Sequence, residues 1–233
     1  MRVLVVTAVP VERDAVTRAF GGTPETVALP GGELHRGGAF DVLAGGAGPA
    51  AAAAATAFAL ASASASAPYG LVVSAGIGGA FTPLTPLGSL VVASDIVAAD
   101  LGADTPDGFL PVTALGFGRD RFTAPPTLVR EVAAATGAAA GPVLTVSTVT
   151  GTAERAGALL AAHPGALAEA MEGFGVAEAA ARAEVPVTEL RAVSNAVGPR
   201  DRDAWRIGDA LAALTDAFGK IAPVLEGWNR HDH

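Results

Sequence analysis

The stretch Thr188-Glu189-Leu190-Arg191-Ala192-Val193-Ser194-Asn195 has the pattern of a buried strand that is followed by a polar pair. We predict that the strand covers Val187 to Val193 and that Asn195 lies just after it. In open α/β sheets, ligands bind beyond the carboxyl ends of the strands. Asn195 is therefore a candidate binding residue. The alternative is that an Asn so close to Gly198-Pro199 only closes a turn.

A second transition of this kind lies at Ala170-Met171-Glu172-Gly173. The pattern predicts a short strand from Ala166 to Met171 and a helix from Glu172 to Ala183. A carboxylate and an amide placed where strands end are suited to binding a sugar together with a base. The alternative for Glu172 is an acidic residue that stabilises the start of a helix through its dipole.

Glu12 is the third candidate. It follows the first predicted strand, Arg2 to Thr7, and lies in a helix predicted from Val11 to Phe20. The alternative is again an acidic residue in the first turn of a helix, and for a single Glu that alternative is the stronger one. The positions of Glu12, Glu172 and Asn195, each after a strand, favour one shared site at the mouth of a sheet.

The glycine-rich segment Ala75-Gly76-Ile77-Gly78-Gly79 is predicted to follow a strand at Leu71 to Ser74. Backbone N–H groups in such a segment can approach a ligand oxygen closely. Its spacing matches neither a dinucleotide-binding fingerprint nor a P-loop. A tight turn without any ligand is an equally good interpretation.

The other predicted elements alternate between strands and helices. The further strands are Thr26 to Leu29, Glu33 to Arg36, Phe40 to Ala44, Leu90 to Ala98 and Pro142 to Ser147. The further helices begin near Pro49 or cover Pro126 to Thr136, Ala153 to Ala162 and Ile207 to Leu225. This alternation predicts an α/β fold with a mostly parallel sheet between helices, formed by one domain over residues 1–233.

Two stretches are harder to interpret. Ala50 to Ala55 and Ala61 to Ala67 fit a helix filled with small residues. A flexible linker is the rival interpretation, and we favour the helix because the stretch lies between two predicted strands. Asp100 to Phe122 is rich in Pro, Gly and Asp and is expected to be irregular. Long excursions of this kind in compact domains are usually functional.

The composition narrows the class of function. The 233 residues include 51% hydrophobic side chains, only 15 Lys and Arg, and a formal net charge of −8. No basic stripe is present, so nucleic acids and anionic membranes are poor partners. No apolar run is long enough for a membrane span, and the apolar start is too short for a signal peptide, so we expect a cytoplasmic protein.

Metal and thiol chemistry is also not expected. The chain has no Cys, which excludes disulfides, thiolate ligands and cysteine nucleophiles. The four histidines lack any metal-binding spacing. They are His35, His163, His231 and His233. We therefore predict no metal and no cofactor.

Taken in order along the chain, these segments resemble the nucleoside phosphorylase/nucleosidase superfamily, and most of all its methylthioadenosine/S-adenosylhomocysteine nucleosidase-like hydrolases. The matching segments are Val3 to Ala8 with Glu12, the Ala47-Gly48 turn, Ser74 to Gly79, Leu90 to Val97, Met171-Glu172, and Arg191 to Asn195. The resemblance implies a single three-layer αβα sandwich with a mixed, mostly parallel central sheet. It also implies a homo-oligomer, a dimer or tetramer, that acts on a small-molecule nucleoside.

The resemblance also implies roles for single residues. Glu172 would hold the ribose 2′- and 3′-hydroxyls with Met171 beneath the sugar, and Glu12 would orient and deprotonate the attacking water. Asn195 would hydrogen-bond the purine at N7. Breaking an N-glycosidic bond builds positive charge on the ribose and negative charge on the base. The attacking water therefore belongs on one side of C1′, and hydrogen-bond donors to the leaving base belong on the other. The remaining candidate substrate-binding residues are Gly76, Ile77, Ala47, Thr150, Phe109 and Arg200.

Two departures from the family pattern indicate the substrate. Adenine-cleaving members carry Asp where this chain has Asn195, and an amide suits a 6-oxopurine, because it can donate to O6 and accept from a protonated N7. Phosphorylases of the family use arginines near the glycines, but Leu71-Val72-Val73 has none and Ile77 replaces a small polar residue. Water is therefore the expected nucleophile.

A hydrolase that acts on a 6-oxopurine nucleoside resembles the futalosine hydrolase family of the alternative menaquinone pathway. Its substrate carries a carboxyphenyl-oxopropyl group at the 5′ end. Ser194 to Val197, Arg200 to Arg202 and Ser147 to Thr152 are similar to that family. Phe109 and its loop, from this chain or a neighbouring subunit, are candidates for an apolar slot that binds the 5′ group, with Arg200 or Arg202 as its cation. The alternating charges after Pro199 are also typical of a solvated loop. The alternatives are another purine nucleosidase or phosphorylase, or a nucleoside-binding protein without activity.

Overall fold

The computed structural model describes residues 1–63, 65–82 and 85–228. His231 and His233 lie outside the described residues. The helices are α1 (Pro10–Arg18), α2 (Pro49–Ala61), α3 (Pro126–Thr136), α4 (Ala153–Ala162), α5 (Gly173–Arg182) and α6 (Ile207–Gly227). The strands are β1 (Arg2–Thr7), β2 (Glu25–Leu29), β3 (Gly32–Gly37), β4 (Phe40–Ala44), β5 (Tyr69–Ala80), β6 (Leu90–Ala98), β7 (Gly102–Thr105), β8 (Gly108–Pro111), β9 (Arg121–Thr123), β10 (Ala139–Thr145), β11 (Ala168–Ala170) and β12 (Val187–Ala196).

The main sheet is mixed, with a parallel centre, as predicted. Its strand order is β11-β10-β6-β12-β5-β1-β4-β3-β2, and β9 pairs with β6. The parallel pairs are β4–β1, β1–β5, β5–β12, β6–β10 and β10–β11. Strand β11 also pairs with β5 in the antiparallel sense, so the strands β5, β12, β6, β10 and β11 close into a ring. This ring brings the ends of β5, β11 and β12 together at one edge.

Helices cover both faces of this sheet, which confirms the three-layer arrangement. Alternate residues of β1 show the division: Val3 and Val5 pack in one apolar cluster, and Leu4 and Val6 pack in another. The first cluster contains the buried faces of α3 and α6, and the second contains those of α2 and α5. Both faces of a central parallel strand are buried, which explains why β1 is continuously apolar rather than alternating.

The glycine-rich segment does not follow a strand, as the sequence had suggested, but continues β5 through to Ala80. Its glycines let other groups approach the strand closely. A Cβ on Gly76 would lie 2.7 Å from Glu12 Oε1, and one on Gly78 would lie 2.9 Å from the carbonyl oxygen of Glu169. A Cβ on Gly79 would lie 3.1 Å from Asn195 Nδ2. The glycines therefore mark a crowded strand and not a turn.

Strand β12 is also longer than predicted and contains Asn195. Its pairing with β5 shifts between Val193, which lies opposite Gly78, and Asn195, which lies opposite Gly79. Ser194 is the extra residue of this bulge. Bulges redirect side chains at the ends of strands, and here the bulge sets the direction of Asn195.

Two further predictions were wrong. The segment from Asp100 to Phe122 is not irregular throughout, since β7 and β8 form a hairpin and β9 joins the main sheet. The helix that begins at Pro49 ends at Ala61, and among the described residues the following Ala/Ser stretch forms turns and bends. Neither difference affects the order of the strands that form the mouth of the sheet.

The packing of α2 against α5 yields a prediction about stability. Gly175 of α5 is buried against α2, and a Cβ there would lie 2.0 Å from the carbonyl oxygen of Pro49. Gly157 of α4 is exposed, and a Cβ there would meet nothing within 4 Å. We expect Gly175→Ala to lower the free energy of unfolding by about 1–3 kcal/mol through overpacking. Gly157→Ala should raise it by about 0.5–1 kcal/mol. Urea denaturation measures both, and equal stability of the two variants would contradict this packing.

Candidate active site

A cavity of about 170 Å³ lies at the mouth of the sheet. Its lining residues come from β5, β11 and β12, from the segment after β1 that includes the start of α1, and from the loops after β10, β11 and β12. They are Ala8, Glu12, Ile77, Gly78, Gly79, Val149, Glu169, Ala170, Met171, Glu172, Ser194, Asn195 and Trp205. The structure thus brings together Glu12, Ile77, Met171, Glu172 and Asn195, which the sequence had indicated separately.

The guanidinium of Arg191 joins several parts of this site. It is 1% exposed, and its Nε donates to Glu189 Oε1 at 2.8 Å. Its Nη1 donates to Glu172 Oε2 at 3.2 Å, and its Nη2 donates to Ser74 Oγ at 3.0 Å. Burial alone would lower the pKa of Arg191, but the nearby carboxylates raise it. The guanidinium is therefore a permanent positive charge beneath the cavity.

Glu12 lies beside this guanidinium. A Cβ on Gly76 would be within 3 Å of both Glu12 Oε1 and Arg191 Nη1, so the two groups face the same point. The backbone N–H of Ile77 donates to Glu12 Oε1 at 2.9 Å, and those of Ala8 and Val9 donate to Oε2 at 3.0 and 3.3 Å.

Two effects oppose each other at Glu12. Burial raises the pKa of the carboxyl group above its ordinary value, and the Ile77 hydrogen bond and the charge of Arg191 only partly offset this. Glu12 also satisfies backbone donors at the start of α1, so the helix-start interpretation is partly correct. A buried carboxylate with a raised pKa is in addition a stronger base than an exposed one.

Glu172 lies at the start of α5 but makes no side-chain hydrogen bond to that helix. Instead Oε1 accepts from the backbone N–H of Gly48 at 3.2 Å, and Oε2 accepts from Arg191. Gly48 has φ +91°, which favours glycine. Ala47 is exposed next to it. Each oxygen of Glu172 keeps a lone pair for another donor.

The amide of Asn195 is partly engaged by the protein. Ser194 Oγ lies 2.8 Å from Asn195 Oδ1, and Asn195 Nδ2 donates to the carbonyl oxygen of Ala196 at 3.0 Å. An amide oxygen has two lone pairs and an amide nitrogen has two hydrogens. One acceptor position and one N–H of Asn195 are therefore left for a ligand.

The other predicted residues lie around this cavity and not in it. Gly76 packs behind the cavity against Glu12 and Arg191. Thr150 and Phe109 line an adjoining cavity of about 500 Å³ that shares Val149 with the first. Arg200 is exposed, and its guanidinium carbon lies 5.5 Å from the ring centre of Trp205.

Four residues of the site were missed by the sequence analysis: Glu169, Glu189, Arg191 and Trp205. A sequence signal did exist for the pair Glu189 and Arg191, because two charges two positions apart in an otherwise apolar strand rarely stay buried unless they are paired. Trp205 follows a short 3₁₀ turn, for which the sequence gives no comparable signal.

Among the residues that the structure describes, no three or more acidic or histidine side chains are grouped so that they could hold a metal ion. Within those same residues, no helix is both long and apolar enough to cross a membrane.

Comparisons with known proteins agree with this fold. The family model of the phosphorylase superfamily matches residues 2–225. A futalosine hydrolase of Streptomyces coelicolor is 66% identical over 234 residues, which cover 100% of both chains. A futalosine hydrolase of Acidothermus cellulolyticus is 44% identical over 223 residues, which cover 94% of this chain and 89% of the relative.

Solved structures share the fold at much lower sequence identity. A 5′-methylthioadenosine/S-adenosylhomocysteine nucleosidase of Neisseria meningitidis, in complex with methylthio-immucillin-A, gives a TM-score of 0.81 at 20% identity. The match covers 96% of this chain and 99% of that one. The futalosine hydrolase of Helicobacter pylori gives a TM-score of 0.80 at 18% identity, covering 96% and 98% of the two chains.

The buried charges yield a second prediction. Arg191→Met leaves Glu172 and Glu189 buried without their cation, so the free energy of unfolding should fall by about 3–5 kcal/mol. Lys220→Met breaks the exposed pair between Lys220 and Asp216, 2.7 Å apart, and should cost less than about 1 kcal/mol. Thermal unfolding monitored by circular dichroism compares them. Similar losses in the two variants would show that the Arg191 cluster does not stabilise the fold.

Proposed function

The chain belongs to the phosphorylase superfamily, and we propose that it hydrolyses the N-glycosidic bond of futalosine to release hypoxanthine. The observation that carries this proposal is the arrangement of Glu12 and Glu172 around Arg191, with the amide of Asn195 in the same cavity. The 66% identity to a futalosine hydrolase over the full length supports the choice of substrate.

The reaction consumes one water molecule. The water oxygen bonds to C1′ of the ribose as the bond from C1′ to the purine breaks. Glu12 passes the proton it takes from this water to solvent, and the base takes one proton from solvent at N7, because the amide of Asn195 cannot transfer one. We assign to Glu12 the role of orienting this water and taking its proton. Its raised pKa suits that role, and its three backbone donors hold the carboxylate in one orientation.

The ribose binds at Glu172 in this proposal. The two lone pairs that the protein leaves free would accept from the 2′- and 3′-hydroxyls. As positive charge builds on the ribose, the carboxylates of Glu12 and Glu172 lie beside it, and Arg191 balances only part of their charge. Fixed groups of this kind stabilise a developing charge without having to reorganise. Met171, Ile77, Gly76 and Ala47 would contribute the surrounding surface.

The base binds at Asn195. Its free N–H would donate to O6 of hypoxanthine, and its free acceptor position would receive a hydrogen bond from N7 of the leaving base. Ser194 Oγ lies nearer to Asn195 Oδ1, at 2.8 Å, than to its other acceptor, the carbonyl oxygen of Gly78, at 3.2 Å, so its one hydroxyl hydrogen supports this arrangement. Asp at the same place would suit a 6-aminopurine better.

The 5′ group requires more space than 170 Å³. The adjoining cavity of about 500 Å³, lined by Phe109, Thr150 and Val149, is the candidate for the carboxyphenyl group. Arg200, near Gly151 of the same cavity, is the candidate cation. We further propose that the chain is one domain, acts in menaquinone biosynthesis in the cytoplasm, and assembles as a homo-oligomer, a dimer or tetramer. It would act without metal or cofactor.

A substrate panel tests the function. Purified protein is incubated with futalosine, inosine and methylthioadenosine, with and without phosphate, and the released bases are quantified. We expect hypoxanthine from futalosine at a rate that does not depend on phosphate. Rapid cleavage of inosine only when phosphate is present would instead identify a phosphorylase.

Glu12→Gln tests the water-activating role. The amide cannot take a proton, so we expect turnover to fall by about 10²–10⁴-fold while the nucleoside still binds. In the unchanged protein, kcat/KM should fall at low pH as Glu12 becomes protonated. Because burial raises the pKa of Glu12 above its ordinary value of 4.5, this loss should begin at a higher pH than for an exposed Glu. Near-normal turnover in Glu12→Gln would exclude the role.

Replacing the substrate's ribose by 2′-deoxyribose tests Glu172. A carboxylate that accepts from both hydroxyls loses a charge-assisted bond when one is absent, so 2′-deoxyfutalosine should be cleaved much more slowly. Glu178 of α5 is half-buried and pairs with Arg182, and the control Glu178→Gln should leave the preference unchanged. Equal rates on ribose and deoxyribose substrates would show that Glu172 does not contact the sugar.

A further inference from the structure

Glu169 is a third carboxylate in the cavity, beside Glu12 and Glu172, and neither the water nor the ribose gives it a role. It lies on β11 and is 4% exposed. The backbone N–H of Thr150 donates to Glu169 Oε1 at 2.9 Å, and the hydroxyl of Thr150 donates to Oε2. Each carboxylate oxygen therefore keeps at least one lone pair. A buried acid that lines a cavity and keeps accepting capacity is a candidate for binding a donor on the ligand.

The register of the sheet places Glu169 and Asn195 on either side of one glycine. Glu169 on β11 lies opposite Gly79 of β5, and Asn195 on β12 lies opposite the same Gly79. Residues that are directly paired across strands project to the same face of a sheet. Two strand spacings separate Glu169 from Asn195, which is about 10 Å between their Cα atoms.

Gly79, which carries no side chain, lines the cavity together with Glu169 and Asn195. A Cβ at this position would lie 3.1 Å from Asn195 Nδ2. The cavity therefore has an amide at one side and a carboxylate at the other, with bare backbone between them. A flat ring with a different hydrogen-bonding group at each end fits this arrangement.

The two ends of a 6-oxopurine differ in this way. N7 and O6 lie on one side and suit the amide of Asn195. N1 lies on the other side of O6 and carries a hydrogen, which needs an acceptor. In a 6-aminopurine N1 has no hydrogen and is itself an acceptor, so a carboxylate placed there would repel it.

We propose that Glu169 accepts the N1–H of the purine and selects 6-oxopurine over 6-aminopurine nucleosides at this site. The inference rests on the proposed function, since it assumes that the base lies beside Asn195. In this inference Glu169 recognises N1 of the purine, and Asn195 recognises N7 and O6. A buried acceptor that would face another acceptor in the wrong ligand discriminates strongly between similar ligands.

Burial opposes the charged form of Glu169 that such binding needs, and nearby donors and one cation offset this only in part. Burial raises the pKa of Glu169, and the two donors of Thr150 and the charge of Arg155 act in the opposite direction. The charge of Asp100 also raises the pKa of Glu169.

The alternative role of Glu169 is structural, because the same two hydrogen bonds anchor the loop around Thr150.

Two variants separate these roles. Glu169→Gln keeps the shape and one acceptor but adds an N–H that can donate to N1 of a 6-aminopurine. Glu154→Gln makes the same substitution at an exposed acid of α4 and leaves the carboxylate of Glu169 and both of its bonds from Thr150 in place. The measurement is kcat/KM for futalosine divided by kcat/KM for aminofutalosine, with circular dichroism to check folding. We expect Glu169→Gln to lower this ratio by about 10- to 100-fold and Glu154→Gln to leave it within a factor of about three, whereas a purely structural role of Glu169 would lower both kcat/KM values alike.

An unchanged ratio in folded Glu169→Gln, or an equal drop in both variants, would overturn the proposal. If Glu169→Gln does not fold, inhibition of the unchanged protein by hypoxanthine and by 1-methylhypoxanthine provides the test. Hypoxanthine should bind at least about tenfold more tightly because it retains the N1–H, and equal affinity would overturn the proposal. Absence of futalosine cleavage by the unchanged protein would instead contradict the proposed function, while these two inhibition constants would still report on Glu169.

Discussion

The buried guanidinium of Arg191 is the constraint on which the site depends. A guanidinium without water or a partner would cost several kcal/mol, so the fold surrounds it with Glu189, Glu172 and Ser74. Glu172 then also bonds to the backbone of Gly48, just before α2. The charge network therefore links the strands of the ring to the junction between α2 and α5, and it fixes the position of the carboxylate that we assign to the ribose.

The same network leaves the site with an excess of acids. Three carboxylates, those of Glu12, Glu172 and Glu189, act on one guanidinium, and burial raises the pKa values of Glu12 and Glu189. The Oε2 atom of Glu189 is buried and has no hydrogen-bond partner among the described residues. Such an arrangement costs stability in the resting protein. It suits a reaction in which a positive charge develops on the sugar, because the excess negative charge stabilises that positive charge. The buried charges of β12, Glu189 and Arg191, are in this way part of the proposed chemistry.

The sequence predicted most elements of the fold but fewer details of the site. Apolar strands such as Arg2–Thr7 and helices such as Ala153–Ala162 were found at nearly their true bounds, because their patterns are local. The order of strands was enough to predict that Glu12, Glu172 and Asn195 meet. The extension of β5 through its glycines was missed, since the cause is the approach of Glu12 and Asn195 from distant elements. The partners of Arg191 and the facing of Glu169 and Asn195 across Gly79 were missed for the same reason, because register between strands is not a local property.

The central claim is that this site directs water to C1′ of a nucleoside. Hydrolysis of futalosine in H₂¹⁸O, with phosphate also present, tests it most directly when the sugar product is analysed at once by mass spectrometry. The account predicts one ¹⁸O on C1′ of the sugar, hypoxanthine without label, and no sugar phosphate. A sugar 1-phosphate without ¹⁸O would contradict it, because the nucleophile would then be phosphate and the arrangement of Glu12, Glu172 and Arg191 would serve a different reaction.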